Sequence, residues 1–193
     1  AQHVEEEFPE ELQAGGLIAA VLDGGQSEVG IESTILDLSR LETHGPVLLR
    51  PGHITANQIS DVLGMPLSSP DATAPRASGT LDAHYAPLTP VVLVNGDELD
   101  TIVRQLQGRA RKIALMSYQA HPSIHMQAWR QLPDDPVGYA HDLYAGLREL
   151  DHAHADLILV EALPQGKNWQ GVNDRLRRAA FDSRGILQKM LTA

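Results

Sequence analysis

The segment VVLVNGDELDTIVRQLQGRARKIALMS, residues 91–117, decides the fold class. It opens with a continuous apolar run, residues 91–94, and closes with a second strand-like run, residues 112–117. Residues 97–107, between the two runs, are predicted to form a helix. Continuous apolar strands that are separated by a helix are typical of a parallel sheet covered on both faces. The segment therefore predicts an α/β fold.

The alternation of strand and helix continues towards the carboxyl terminus. A strand is predicted over residues 156–161, and helices are predicted over residues 136–150 and 172–180. The first of these helices has one apolar face with i, i+3, i+4, i+7 spacing, formed by Ala140, Leu143, Tyr144 and Leu147. We therefore expect residues 91–193 to form a Rossmann-like domain of three layers.

Residues 65–90, which precede this domain, have a different composition. The segment shows no hydrophobic periodicity, and its prolines are Pro66, Pro70, Pro75, Pro87 and Pro90. Proline makes a chain semi-extended, and a non-repetitive stretch of this length is more often functional or inter-domain than a plain turn. We expect a proline-rich linker here.

Residues 1–64 form the remaining part of the chain. The predicted elements are a helix through Val4, Phe8 and Leu12, strands over residues 17–22, 31–38 and 47–50, and a helix over residues 55–63. Thr55 is a good N-cap and Gly64 a good C-cap for the second helix. So few elements make a marginal independent core. Because the sequence begins with Ala1, we expect either an absent amino-terminal portion or a neighbouring copy that covers the strand edges.

The composition excludes several classes of protein. The 193 residues include 15 Lys and Arg against 25 Asp and Glu, a formal net charge of −10 at pH 7. This balance argues against strong direct binding of nucleic acid, which needs a surplus of Lys and Arg. The absence of cysteine excludes disulfides and thiolate metal sites. The longest apolar run, residues 17–22, is far shorter than the roughly 20 residues that cross a bilayer, so we expect no membrane partner and a cytoplasmic protein.

A local basic cluster lies near the carboxyl terminus. It consists of Arg175, Arg177, Arg178 and Arg184. Arginines at this spacing are predicted to lie on a solvated helix face.

Residues at two strand ends are candidates for ligand binding. In GIESTILD, residues 30–37, alternation places Ser33 on one side of the strand and Glu32 and Thr34 on the other. Hydroxyls in a strand are more often ordinary hydrogen-bonding groups. Arg50 ends a buried strand, where the following proline keeps it extended. Its guanidinium suits a phosphate or a carboxylate, and an ion pair at the sheet rim explains the pattern equally well.

Further segments carry polar or aromatic residues. His84 and Tyr85 lie in the linker, where the tyrosine can stack on a base or donate to a phosphate; docking of the linker is the alternative. Residues 165–171, QGKNWQG, lie between a strand and a helix, where backbone amides can receive an anion. Their glycine spacing matches neither the dinucleotide fingerprint nor the P-loop. His152 and His154 lack the spacing of metal ligands, and no metal ligands are predicted.

Taken in order, several motifs resemble the threonylcarbamoyl-AMP synthase family, in the long form that joins a YrdC-like domain to a carboxyl-terminal accessory domain. The motifs are GIESTI (30–35), LLRPG (48–52), Ala74-Pro75-Arg76, Gly79-Thr80, HYAP (84–87), LYAGLRELD (143–151) and Asn173-Asp174-Arg175-Leu176. The resemblance covers nearly the whole chain. It implies that residues 1–64 are the carboxyl-terminal part of a YrdC-like α/β domain, residues 65–90 a linker or lid, and residues 91–193 the accessory domain.

The resemblance also implies a reaction. L-Threonine, bicarbonate and ATP, with Mg²⁺, are condensed to threonylcarbamoyl-AMP and pyrophosphate, for threonylcarbamoylation of the adenosine next to the tRNA anticodon. By position, Ser33 is implied to contact threonine, Arg50 to bind the nucleotide, and Tyr85 to close over it. Weaker candidates are Glu32, Thr34 and His84. Catalytic residues are not identified.

The same resemblance sets an expectation about activity. The family's Lys- and Arg-bearing nucleotide site and its Ser-x-Asn segment precede the first residue of this sequence. We therefore expect an amino-terminally truncated enzyme with little or no adenylyl-transfer activity on its own. The alternative is a non-catalytic regulatory module that binds a nucleotide or a partner. Other tRNA-modification proteins and a second copy of the chain are the further partners to consider.

Overall fold

The computed structural model describes residues 1–79, 86–120, 125–183 and 185–192. The strands are β1 (Ile35–Asp37), β2 (Val47–Arg50), β3 (Val91–Val94), β4 (Ile113–Ser117), β5 (Ala128–Gln131) and β6 (Leu157–Glu161). The α-helices are α1 (Gln2–Glu7), α2 (Leu41–His44), α3 (Ala56–Leu63), α4 (Gly96–Gln107), α5 (Pro136–Asp151), α6 (Gln170–Ala179) and α7 (Ile186–Thr192). Short 3₁₀ turns lie at Lys167–Trp169 and Phe181–Ser183. In these ranges, none of the helices has the length and apolar character needed to cross a membrane.

Four parallel strands form the main sheet, in the order β3-β6-β4-β5. β6 lies between β3 and β4, and all of its residues are buried. Successive side chains of a strand point to opposite faces. Ile113 and Leu115 of β4 therefore pack on one face, whereas Ala114 and Met116 pack on the other. A sheet with two apolar faces needs cover on both sides, and the predicted α/β fold is confirmed.

Helices cover both faces of this sheet. On one face, α4 buries Leu99 and Val103 against the strands, and α7 packs beside it. On the other face, α5 and α6 bury Leu143 and Leu176. The three predicted layers of helix, sheet and helix are therefore present.

Two elements of the main sheet region are not revealed by the sequence pattern. β5 pairs with β4 at the sheet edge, and its residues alternate between half-buried and exposed. α7 is short and contributes partly buried side chains, among them Leu187 and Met190, to the core beside α4. Short elements at the edge of a core carry too little periodicity to be recognised.

In the first half of the chain (residues 1–64), the strand predicted over residues 47–50 is confirmed as β2, whereas two other predicted strands are shortened or missing. β1 and β2 form a two-stranded antiparallel sheet, so the strand expected over residues 31–38 is wrong outside Ile35–Asp37. The strand expected over residues 17–22 is also wrong, because Leu17 and Leu22 are 95% and 92% exposed and in no strand. A strand needs a neighbour for its backbone N–H and C=O groups. The described residues offer none to this segment.

Of the two helices predicted in the first half, one is shorter than expected and the other is confirmed. The helix expected through Val4, Phe8 and Leu12 ends at Glu7. By contrast, α3 begins and ends where the sequence predicts. Thr55 accepts from the Gln58 amide and donates its own amide to the Gln58 side chain, a complete capping box. Gly64 closes the helix at φ 69°, in the left-handed region.

The start of the predicted linker lies along β2. The Leu48 amide donates to the Ser68 carbonyl, and the Ser68 amide donates to the Pro46 carbonyl, each at 2.9 Å. Arg40 donates to Asp71 and Thr73 of the same segment. These contacts dock residues 65–73 on the first half; the domain boundaries remain predictions.

The two halves of the chain pack backbone against backbone. Ile31 is 8% exposed and belongs to the core beneath α5 and α6. A Cβ atom on Gly30 would lie 2.2 Å from the Ala140 carbonyl oxygen, and one on Gly171 would lie 2.7 Å from the Gly52 carbonyl oxygen. These approaches leave no room for a side chain.

We predict that Gly171→Ala destabilises the protein by about 1–3 kcal/mol, because the added methyl group overpacks this contact. Helix propensity alone predicts the opposite sign, since alanine is favoured over glycine within a helix by about 0.5–1 kcal/mol. Gly166→Ala is the control: its Cβ would meet only Trp169 Cδ1, at 3.8 Å. Urea unfolding followed by circular dichroism measures the difference. Equal stability of the two variants would contradict the prediction.

Candidate functional site

Arg50 and Ser33 lie together where β2 ends. Arg50 is the last residue of β2, and the next residue is Pro51, which has no N–H to continue the ladder. The Nε and Nη2 atoms of Arg50 donate to the Ser33 carbonyl oxygen at 3.1 and 2.9 Å. Nη2 also lies 3.5 Å from the Ser33 hydroxyl oxygen. The structure therefore brings together two residues for which ligand binding is predicted.

The hydrogen-bond partners of the Arg50 guanidinium are neutral among the residues that the structure describes. Besides Ser33, its Nη1 donates to the Ser78 carbonyl oxygen at 2.9 Å. The residue is only 6% exposed. A buried cation requires hydrogen-bond acceptors or a counter-ion, and the described partners of Arg50 are carbonyl and hydroxyl oxygens. Ligand binding by Arg50 remains a prediction.

The two hydroxyls next to this cation differ in exposure and bonding. The Thr34 hydroxyl donates to the Ile54 carbonyl oxygen at 2.7 Å and ties its strand to the loop after β2. Ser33 is exposed. Ser33 is consequently better placed than Thr34 to meet a small polar ligand.

Glu32 faces the second half of the chain. Its carboxylate accepts from Arg175 Nε at 2.5 Å and from the Tyr144 hydroxyl at 3.0 Å. Burial alone would raise the pKa of the Glu32 carboxyl, but the hydrogen bonds and the charge of Arg175, with the Tyr144 hydrogen bond, lower it below the usual value. These contacts make Glu32 an anchor between the halves.

Arg175 of α6 binds the segment before β1 and the residue after β2, which flank the predicted site. Besides the Glu32 carboxylate, it donates from Nη2 to the Glu32 carbonyl oxygen at 3.2 Å. Its Nη1 donates to the Pro51 carbonyl oxygen at 2.9 Å. Glu32 precedes Ser33, and Pro51 follows Arg50. One buried guanidinium thus fixes the backbone on both sides of the Ser33 and Arg50 contact.

The expectation of a solvated arginine face on α6 is wrong for two of the three described arginines, Arg175 and Arg178. The side chains of Arg175 and Arg178 are 3% and 11% exposed, whereas that of Arg177 is 67% exposed. All three donate to Asp174, whose side chain is 4% exposed. The carboxylate gathers them because a buried acid needs cationic partners. Arg184 lies outside the described residues.

His84 and Tyr85 also lie outside the described residues. Contacts on either side of them are described. Ser78 is held by Arg50, and the amides of Leu88 and Thr89 donate to the Asp151 carboxylate at 3.0 and 2.7 Å. The predicted roles of His84 and Tyr85 remain predictions.

Residues 165–171 form the 3₁₀ turn that leads into α6. Lys167 donates to the Asn57 side chain at 3.1 Å, and Trp169 is buried against Tyr139. Across the described residues no three metal-ligating side chains converge. No residue is therefore assigned to Mg²⁺.

Comparison with known proteins decides the family. The family profile of the threonylcarbamoyl-AMP synthase C-terminal domain matches residues 54–181. The chain belongs to this family. It is 29% identical over 194 residues to threonylcarbamoyl-AMP synthase of Pyrococcus abyssi, a match that covers 93% of this chain and 53% of the relative. The corresponding Bacillus subtilis protein is 29% identical over 177 residues, with 86% and 49% covered. The chain thus spans about half the length of the curated relatives it matches.

Solved structures agree with this membership. The crystal structure of P. abyssi Sua5 complexed with L-threonine matches with a TM-score of 0.77 at 27% identity, over 93% of this chain and 53% of that one. A P. abyssi Sua5 variant, in which an adjacent histidine and tyrosine are replaced by alanine, matches with a TM-score of 0.66 at 27% identity, over 82% and 47%. The expected family resemblance and α/β fold are confirmed.

Sequence reasoning does not find the positioning role of Arg175. The residue lies in the Asn173-Asp174-Arg175-Leu176 motif, but its partner Glu32 is more than half the chain away. The sequence does contain one signal for a buried arginine, which is the acidic residue Asp174 within a run of arginines. A buried carboxylate needs cationic partners, and the neighbouring arginines can supply them.

We predict that the unfolding free energy of the protein falls as the pH drops below about 4.5, the usual pKa value of Glu32. Folding lowers the pKa of Glu32. The contribution of Glu32 to the unfolding free energy is therefore complete above the usual pKa and is lost as the pH falls through the lower pKa of the folded state. Glu32→Gln removes this part of the pH dependence, and Glu5→Gln, at an exposed site in α1, is the control. Urea unfolding at pH 3 to 7 measures it. An identical pH slope in wild type and Glu32→Gln would refute the assignment.

Proposed function

We propose that this chain is part of an L-threonylcarbamoyladenylate synthase that acts in threonylcarbamoyl modification of tRNA. Its substrates are L-threonine, bicarbonate and ATP, and its products are threonylcarbamoyl-AMP and pyrophosphate. The observation that carries the proposal is the contact between Ser33 and Arg50, which joins an exposed hydroxyl to a buried cation whose described partners are neutral. Membership of the family supports the same reaction.

The proposed chemistry is adenylyl transfer. An oxygen of the N-carboxylated threonine attacks the α-phosphorus of ATP, a new O–P bond forms, and the bond to the β-phosphate oxygen breaks as pyrophosphate leaves. Negative charge on the phosphoryl oxygens is stabilised by preorganised cations. We assign this role to Arg50, whose direction is fixed by the Ser33 and Ser78 carbonyls. Mg²⁺ enters with ATP as part of the substrate.

Ser33 is proposed to contact threonine. The threonine complex of the P. abyssi relative supports this substrate. The Ser33 side chain is exposed, and its backbone is held by Arg50 on one side and by Glu32 and Arg175 on the other. Such a fixed backbone positions a hydroxyl without further loss of conformational entropy on binding.

Tyr85 is proposed to close over the nucleotide, with His84 beside it. The two residues form the only adjacent His-Tyr pair in this sequence. An adjacent histidine and tyrosine were also the residues replaced in the second P. abyssi structure, which supports a role for this pair. A cytoplasmic location, tRNA-modification partner proteins and a homodimer belong to the same proposal.

We predict that Ser33→Ala weakens L-threonine binding by at least about 10-fold, the loss expected when one hydrogen bond to a charged ligand is removed. Isothermal titration of L-threonine into the chain measures the dissociation constant. The control is Thr101→Ala, which removes an exposed hydroxyl from α4 on the far side of the main sheet. Unchanged threonine affinity in Ser33→Ala would contradict the assignment.

Turnover separates this proposal from a non-catalytic module. Pyrophosphate release that requires both threonine and bicarbonate is measured in the natural polypeptide that carries this chain. The synthase predicts such release and its loss in Arg50→Lys, which cannot reproduce the planar set of donors. Nucleotide binding without any threonine-dependent release would favour the regulatory module instead.

A further inference from the structure

A cleft lies between the two halves of the chain, and Ser33 is not among its lining residues. It has a cavity volume of about 740 Å³. One wall comes from β2, α3 and residues 66–70; the other comes from residues 165–167 and α6. Arg50 is not among its lining residues. The cleft is therefore distinct from the proposed threonine site.

The α6 wall of this cleft is cationic. Lys167, Arg177 and Arg178 line it, and Asp174 is its one acidic lining residue among those described. Asp174 already accepts from three guanidinium groups, those of Arg175, Arg177 and Arg178. Among the described lining residues, Lys167, Arg177 and Arg178 outnumber this single carboxylate. A surplus of positive charge in a chain of net charge −10 marks a place for an anion.

The exposure of two cations allows them to reach a ligand. The side chain of Arg177 is 67% exposed, and Lys167 is exposed beside its single described bond to Asn57. That bond crosses the cleft and sets its width at this point. Planar arginine and mobile lysine together suit a phosphate group.

The opposite wall has a different chemistry. It presents apolar surface and hydroxyl groups from Leu48, Leu67, Pro66, Pro70, Ser60, Ser68 and Ser69. A ligand that spans the cleft therefore needs an anionic end and a partly apolar, hydrogen-bonding end. A nucleoside polyphosphate has both, and the volume lies within the range of small-molecule sites.

We propose that this cleft is a second ligand site, which binds a nucleoside polyphosphate. Its phosphates lie against Lys167 and Arg177, and its nucleoside lies against Leu48, Leu67 and the neighbouring serines. The proposal does not depend on the reaction at Ser33, since none of its contacts involves that residue. It also gives residues 165–171, which the proposed reaction does not use, a role in anion binding.

The test combines affinity with localisation, using ATP and its photoreactive 8-azido analogue. Titration of ATP into the whole chain gives a dissociation constant, and mass mapping of the crosslinked peptides locates the nucleoside. The double substitution Lys167→Ala and Arg177→Ala is expected to weaken ATP binding by about 10-fold or more and to abolish crosslinks to residues 66–70, which line this cleft and lie outside the proposed Arg50 site. Arg104→Ala, an exposed arginine on α4, is expected to change neither.

Several results would overturn the proposal. The first is that ATP does not bind to the chain. The second is that the azido analogue crosslinks only to residues outside the cleft. The third is that the wild type and the double variant bind ATP with equal affinity. Binding of tRNA but not of ATP, lost in the double variant, would assign the cleft to RNA and contradict a nucleotide site. Because Arg50 does not line this cleft, persistence of the crosslinks to residues 66–70 in Arg50→Lys separates failure of this proposal from failure of the proposed reaction.

Discussion

The packing of the two halves of the chain depends on the hydrogen bonds and ion pairs of the Arg175 guanidinium. It is 3% exposed and bonds to the Glu32 carboxylate, two backbone carbonyls and Asp174. Removing a guanidinium and two carboxylates from water is costly, and only close geometry with further hydrogen bonds offsets that cost. Here every donor atom of Arg175 has a partner. Such a contact specifies one arrangement of the halves more than it adds stability.

This arrangement carries directly into the proposed threonine site. Arg175 fixes the carbonyls of Glu32 and Pro51, and the neighbouring residues Ser33 and Arg50 are bonded to each other. Contact therefore runs without a break from α6 to the site. The main sheet and α5 hold α6 in place, since Leu176 is buried in their common core. The second half of the chain thus supports the backbone of the proposed site through Arg175.

The sequence predicts those features that rest on local patterns. Continuous apolar runs predict β3, β4 and β6, and a capping residue with a terminal glycine predicts α3. Features that depend on distant partners are less accessible from the sequence. Ser33 precedes β1 and Arg50 ends β2, so their contact depends on tertiary structure. The apolar run at residues 17–22 forms no strand because no described residue pairs with it, and Arg175 and Arg178 are buried because they bond to Asp174.

The measurement that tests this account most directly is a double-mutant cycle between Glu32 and Arg175. Unfolding free energies are determined for wild type, Glu32→Gln, Arg175→Met and the double variant. Breaking a buried ion pair from either side costs about 3–5 kcal/mol, whereas removing both partners costs less than the sum. The account predicts a coupling of at least about 2 kcal/mol. Additive effects, within about 0.5 kcal/mol, would contradict it.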